Sequence, residues 1–597
     1  MTEHLQEEQV LGKAYDARLM RRLLRYIRPY RGSALLAFVY ILAGSGLSVL
    51  PPWLTKVAID RYISKGDLTG LNNIAILYVL ALAGTFVFSY GQNWVLNLMG
   101  QKIMVDLRME IFQRLQELDV TFFDKNPVGR LMTRVTTDVD ALNELFTSGV
   151  ISVFGDIFTL AGIVIILFLL NFKLACAIFS VIPLLFLVSF LFKIKVRESY
   201  RHVRTAIARI NAFLQENITG MSVVQSFSQE KRQYDKFTRI NRVHLDANLQ
   251  SIFYYALFYP LLELVGALSI ALVVWYGGLK VFAGTLSMGA LVAFVQYSDR
   301  FFRPISDLSE KYTILQAAMA SSERIFTLLD THPSIVSPEH PKAPTVSEGS
   351  IEFRNVTFAY NPGETVLHDV SFVVRPGEKV AVVGATGAGK TTIISLLSRF
   401  YDVQQGEILV DGMNVKEYAL QGLRRSIGVV LQDVFLFSGS IADNVRLNNS
   451  RIDDATLEKA AETVHATEFV RRLPRGFQTE VGERGSSLSV GQKQLLAFAR
   501  ALAYDPKILV LDEATSSIDT ETEILIRDAL EKLLAGRTSI IIAHRLSTIQ
   551  NADRIIVLHR GRIREIGPHQ ELLRQKGLYW RLYQLQYKDQ LISPVSG

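Results

Sequence analysis

Gly384-Ala385-Thr386-Gly387-Ala388-Gly389-Lys390-Thr391-Thr392 decides how the second half of this chain folds. It follows the apolar, β-branched run Lys379-Val380-Ala381-Val382-Val383 and precedes a helix-forming run from Ile393 to Phe400. A G-x-x-x-x-G-K-[ST] pattern between a strand and a helix is a phosphate loop. Glycines let successive backbone N–H groups curl around phosphate oxygens, and the helix N-terminus adds partial positive charge. Lys390 is placed to reach the β- and γ-phosphates, and the Thr391 hydroxyl to hold Mg²⁺. Gly384, Thr386, Gly387, Gly389, Lys390, Thr391 and Thr392 are therefore the expected nucleotide contacts in this loop.

Downstream, Lys507-Ile508-Leu509-Val510-Leu511-Asp512-Glu513 is an apolar strand ending in two carboxylates. Asp512 suits Mg²⁺, and Glu513 suits the general base that activates an attacking water. His544 follows another buried strand, Thr538 to Ala543, and can position that water beside the γ-phosphate. Gln432, after Val429-Val430-Leu431, can sense the metal. Taken singly, each is an ordinary strand-end residue; their order after a phosphate loop is what makes the set specific. Leu488-Ser489-Val490-Gly491-Gln492 opens a further helix, so Ser489, Gly491 and Gln492 form a second anion-binding helix start. Upstream, Tyr360 sits before a turn, where its ring can stack on adenine.

The first half differs in composition. The chain has 597 residues, 49% of them hydrophobic and 20% charged, and its mean hydropathy is positive. A chain this long needs more than one core, and one this apolar needs membrane spans. Arg18, Arg21, Arg22, Arg25, Arg28 and Arg31 lead into the first uncharged run and place its start in the cytoplasm. The N-terminus is too acidic for a mitochondrial transit peptide and has no signal-peptide core, so this run is expected to stay as an anchor.

Runs of about 20 apolar residues predict six spans, at 32–55, 71–96, 146–170, 174–193, 250–277 and 281–300. Polar helical hairpins at 97–145 and 194–249 separate some of them. At 1.5 Å per residue each hairpin reaches ~35–40 Å beyond the bilayer, and their basic bias marks that side as cytoplasmic. Two charges interrupt the spans, Asp156 and Glu263. Such a group lines a polar cavity, pairs with another helix or lies near a span end; the sequence leaves these readings open.

The single cysteine, Cys176, excludes an internal disulfide and a cysteine-built metal site. The net charge of +7 forms no concentrated stripe, so nucleic acid is not an expected partner. The transmembrane domain is thus 1–330, a Pro- and Ser-rich linker 331–349, an α/β domain 350–586 and a tail 587–597.

Six spans followed by this ordered set resemble a half-size ABC exporter over essentially the whole chain. Phe122 to Arg130 resembles the family's first cytoplasmic coupling segment, Ser222 to Phe237 the second, and Thr479 to Gly485 the loop preceding the signature. The resemblance implies an all-α six-helix transmembrane domain followed by an α/β P-loop nucleotide-binding domain, with ATP and Mg²⁺ as cofactors. It implies a dimer in which each ATP lies between one subunit's phosphate loop and the other's signature. It implies an integral membrane protein of a bacterial inner membrane that exports amphipathic drugs, lipids or peptides. An ATP-gated channel or a regulatory subunit shares the same motifs.

One departure is informative. The family signature usually reads Leu-Ser-Gly-Gly-Gln, and here its third residue is Val490, with Ser516-Ser517-Ile518-Asp519 also varied. A β-branched residue in place of glycine restricts the backbone. This combination, with Glu513 and His544 retained, resembles the MdlB-like side of heterodimeric exporters, so a second, different half-transporter is the expected partner, with a homodimer as the rival.

Overall fold

The computed structural model describes residues 16–342, 346–512, 520–543 and 546–587. The chain forms two compact units. One holds residues up to Gln116 together with Val128–Thr331; the other holds Glu117–Pro127 and the chain from His332 on.

The first unit is helical. Among the described residues, five segments are long and apolar enough to cross a bilayer: Arg28–Lys65, Leu68–Glu117, Val128–Leu170, Phe172–Thr219 and Glu230–Phe282. Leu68–Glu117 and Glu230–Phe282 are single helices of 50 and 53 residues, so span and polar extension are continuous rods. The fourth apolar run is broken instead. Its helix Phe172–Phe179 is capped by Asn171, whose side chain accepts the Leu174 N–H, and Ile182–Thr219 then starts afresh.

The sixth expected span, 281–300, is not among these five segments. It straddles the turn at Gly284 and the head of helix Met288–Asp330, whose apolar run ends at Asp299 and Arg300. The head of that helix packs among the other helices. Ala293, Phe294, Tyr297 and Ser298 are fully buried among Ile163, Leu167, Leu174 and Val273. The Tyr297 hydroxyl donates to the Val49 carbonyl at 2.7 Å, and Arg300 donates to the Ser48 carbonyl at 2.6 Å. Neighbouring helices satisfy polar groups that lipid would not. The same logic resolves Asp156, which pairs with Lys311 of this helix. Glu263 is exposed on its helix.

Among the described residues the second unit carries two larger sheets and a two-stranded pair, Gly439–Ser440 with Glu480–Val481. A six-stranded sheet runs from edge to edge Arg562–Gly567, Arg554–His559, Lys379–Val383, Thr538–Ile542, Ile508–Asp512, Ile427–Val430, all parallel except the first. Central parallel strands are covered on both faces and read as continuous apolar runs. Accordingly Val380 and Val382 enter one core, and Ala381 and Val383 enter the other. The second sheet, Thr365–Val374, Ile351–Ala359, Gln405–Val410 and Met413–Asn414, is antiparallel.

The expected linker is pinned where it is described. The Asp411 carboxylate accepts the N–H groups of Ser347, Glu348, Gly349 and Ser350 at 2.7–3.0 Å. The Ser334 N–H donates to Asp119 at 2.7 Å.

Candidate nucleotide site

The site is built at the carboxyl ends of parallel strands, where α/β sheets bind ligands. Strand Lys379–Val383 lies between Arg554–His559 and Thr538–Ile542, with Val382 opposite Ile542 and Ile556. The chain then turns through 384–389 into helix Lys390–Leu397. Gly384 is required by space: a Cβ there would stand 2.2 Å from the Leu558 carbonyl oxygen. Gly389, the residue before the helix, has φ +99° and would drive a Cβ to 2.7 Å from Leu367, so a side chain is excluded both by conformation and by contact.

Lys390 is buried. Its ammonium donates to the carbonyls of Gly384 at 2.8 Å and Ala385 at 3.1 Å. Burial holds its pKa below the usual lysine range, opposed by the nearby Asp512 carboxylate. An ammonium enclosed by its own loop can exchange these carbonyl acceptors for an anion at little reorganisation cost, since it is already desolvated.

Thr391 and Asp512 are brought together. The Thr391 hydroxyl donates to Asp512 Oδ2 at 3.2 Å across 121 residues. The cause is sheet order: Asp512 is paired with Ile542, and the strand of Ile542 adjoins the one feeding the loop. A hydroxyl beside a carboxylate is a hard-oxygen donor set, which suits Mg²⁺. Gln432 is exposed, two residues beyond Val430, which pairs with Leu511; sheet register thus carries it to the same edge. Glu513 and His544 follow strands that end here, but both lie outside the described residues, as do Ser516 to Asp519.

The Tyr360 hydroxyl donates to Thr392 Oγ1 at 3.2 Å, and its ring is 42% exposed, leaving surface for stacking. Its edge contacts are Phe358 at 4.9 Å and Tyr401 at 5.0 Å. Tyr401 was not anticipated from sequence. The only sequence signal for it is an aromatic residue just past the phosphate-loop helix Lys390–Leu397. Thr386 and Gly387 lie at the exposed tip of the loop.

The signature segment opens a helix of its own. Ser489 caps helix Val490–Ala503 in a reciprocal capping box: Gln492 N–H donates to Ser489 Oγ at 3.2 Å, and Ser489 N–H to Gln492 Oε1 at 3.0 Å. Gly491 is buried, whereas Val490 is 54% exposed at the helix start. Among the described residues, Ser489, Gly491 and Gln492 make no hydrogen bond to the phosphate loop.

Comparison with known proteins finds two family models in the chain. The family model for the ABC transporter transmembrane region matches residues 34–305, and that for the ABC transporter matches 367–516. An uncharacterized ABC transporter ATP-binding protein, YknV of Bacillus subtilis (strain 168), is 41% identical over 97% of this chain and 96% of its own length. An ATP-dependent lipid A-core flippase of Syntrophus aciditrophicus (strain SB) is 36% identical over 97% and 96%. The solved structure of a bacterial Atm1-family ABC exporter with ATP bound superposes with a TM-score of 0.77 at 29% identity, covering 95% of this chain and 99% of that one.

Proposed function

We infer cargo, metal and partner from one premise: this chain belongs to the ABC transporter family, as an exporter half-transporter whose nucleotide domain is an ATPase coupled to transport. ABC exporters function as dimers, and the family places the helical domain in the membrane.

The observation that carries the reading is the Thr391–Asp512 contact beside the enclosed Lys390 ammonium. We assign Thr391 and Asp512, with Gln432, to Mg²⁺, which when bound would neutralise charge on the β- and γ-phosphates. Lys390 and the N–H groups of Gly387, Gly389 and Thr391 bind the phosphates, and Tyr360 stacks on the base. Glu513 accepts the proton of the attacking water, and His544 orients that water. We assign Ser489, Gly491 and Gln492 to the nucleotide of the other subunit, as the arrangement of dimeric ABC exporters implies.

The proposed cargo is an amphipathic compound: a lipid, drug or peptide. The relative named for lipid A-core supports lipid, and no feature favours the channel reading over transport. The proposed partner is a different half-transporter. Val490 presents an isopropyl group at a helix start where a facing phosphate needs open N–H groups. The experiment is purification of the chain alone and with candidate partners in proteoliposomes. Cargo-stimulated hydrolysis and uphill transport only in the mixed complex are expected; full activity of the chain alone rejects the heterodimer.

A further inference from the structure

The segment leading into the first span holds a groove that the nucleotide chemistry does not use. Helix Ala17–Arg25 is followed by a single turn, Arg28–Tyr30, and then by helix Arg31–Val57. Leu24, Ile27, Arg28, Arg31 and Ala34 line a groove of about 470 Å³ between them. Three of the lining residues are apolar and two are arginines.

The charges here fall into two sets. Arg18 pairs with Asp16 at 3.4 Å. Arg22 pairs with Asp330 at 2.6 Å and lies over the Phe326 ring at 4.2 Å. By contrast Arg21, Arg25, Arg28 and Arg31 are exposed and make no ion pair among the described residues. The nearby carboxylates are already engaged: Tyr26 donates to Glu110 at 2.6 Å and Tyr30 to Asp106 at 2.7 Å. These same contacts fix the segment against helices Leu68–Glu117 and Met288–Asp330, so the groove is preorganised.

Apolar surface continues from the groove. Leu24, Leu35 and Leu36 are 44%, 66% and 43% exposed, at the start of a span whose beginning faces the cytoplasm. Four guanidinium groups without an ion pair among the described residues thus stand beside exposed leucines. An anionic amphiphile at the membrane boundary satisfies both.

We propose that this groove binds one anionic glycerophospholipid of the cytoplasmic leaflet. Arg28 and Arg31 hold the phosphate in charge-assisted hydrogen bonds. Leu24, Ile27 and Ala34 seat the first part of an acyl chain, which continues along Leu35 and Leu36. Arg21 and Arg25 add longer-range attraction. The site lies outside the nucleotide cluster and takes a resident lipid rather than cargo.

The test uses the full chain in nanodiscs of mixed phosphatidylglycerol and phosphatidylcholine. A phosphatidylglycerol probe with a photoactivatable acyl chain is crosslinked and mapped by mass spectrometry of proteolytic fragments. Labelling concentrated at residues 24–36 is expected, and labelling elsewhere only would overturn the proposal. R28Q/R31Q should lower phosphatidylglycerol affinity roughly thirtyfold, with phosphatidylcholine retention and ATP affinity unchanged, while R28K/R31K keeps most of the selection. Equal retention of both lipids by the unaltered chain counts against it. So does displacement of the lipid by free glycerol phosphate at matching concentration, which would make the groove a simple anion site. If R28Q/R31Q does not assemble, the crosslink map of the unaltered chain and its loss of selection at high salt decide the matter.

Discussion

Tyr401 donates its phenolic hydrogen to the Asp124 carboxylate, across 277 positions of sequence. The same ring stands edge-on to Tyr360 at 5.0 Å. Asp124 belongs to the short helix Val120–Lys125, part of the 117–127 segment that groups with the nucleotide domain. Burial and this bond together raise the Tyr401 pKa far above the usual phenol range, so the hydroxyl remains a donor at every physiological pH. A ring contact and a hydrogen bond in series thus link the expected base-stacking ring to the segment that resembles a coupling element.

Tyr401→Phe keeps the ring and removes the donor. Since Asp124 is exposed, the stability cost should stay near 1 kcal/mol. ATP affinity should hold within about twofold, because the ring contact to Tyr360 survives, while cargo moved per ATP hydrolysed falls severalfold. Parallel measurement of hydrolysis and transport in proteoliposomes checks this. An unchanged ratio removes any coupling role from the pair.

Lys390→Ala and Glu513→Gln should separate binding from chemistry. Loss of the Lys390 ammonium forfeits charge-assisted bonds of about 2–3 kcal/mol, weakening ATP some thirtyfold or more. Glu513→Gln should leave binding near normal and slow hydrolysis by a factor of about 10²–10⁴. Equilibrium binding of a fluorescent ATP analogue alongside phosphate release gives the two readings. Normal affinity in Lys390→Ala contradicts the phosphate-loop assignment; normal turnover in Glu513→Gln contradicts the base assignment.

Val490→Gly opens the start of the signature helix. Val490 is half-exposed and sits at the first helical position, so the stability cost should not exceed about 1 kcal/mol. In the assembled pair, ATP hydrolysis should rise severalfold as the site facing this helix gains unobstructed N–H donors. Steady-state hydrolysis of the pair, with and without the change, is the measurement; an unaltered rate shows that residue 490 does not limit that site.

Asp411 gives the nucleotide domain an acid-sensitive anchor. Burial raises its pKa, but N–H donation from Glu348, Ser347 and Ser350 outweighs this and leaves it below its ordinary 3.8. A carboxylate lowered on folding contributes stability that is full above its unfolded value and is lost as pH falls through the folded one. Asp411→Asn should therefore destabilise the domain by about 2 kcal/mol at neutral pH, and the gap from the unaltered protein should close below about pH 4. Thermal unfolding across pH 3–7 tests the window, and a gap independent of pH assigns the anchor to geometry rather than charge.

By itself, the sequence marked a helical membrane domain followed by an α/β nucleotide domain, the phosphate-loop pattern and the order of its companion motifs. These are local or periodic properties: a strand, a glycine turn and a helix are contiguous, and a hydrophobic run of span length must be buried in lipid or protein. Gly384 and Gly389 were legible because only glycine tolerates the close approach and the left-handed backbone found there. What only the tertiary structure decided are the pairings across long separations. Sheet order set Thr391 against Asp512; helix packing gave Asp156 to Lys311 and buried the head of Met288–Asp330. Chain fold brought Asp124 to Tyr401. A sequence pattern records which face of an element seeks burial, but not which neighbour covers it, because hydrophobic burial is non-directional and partner choice is made by the packing of the whole unit.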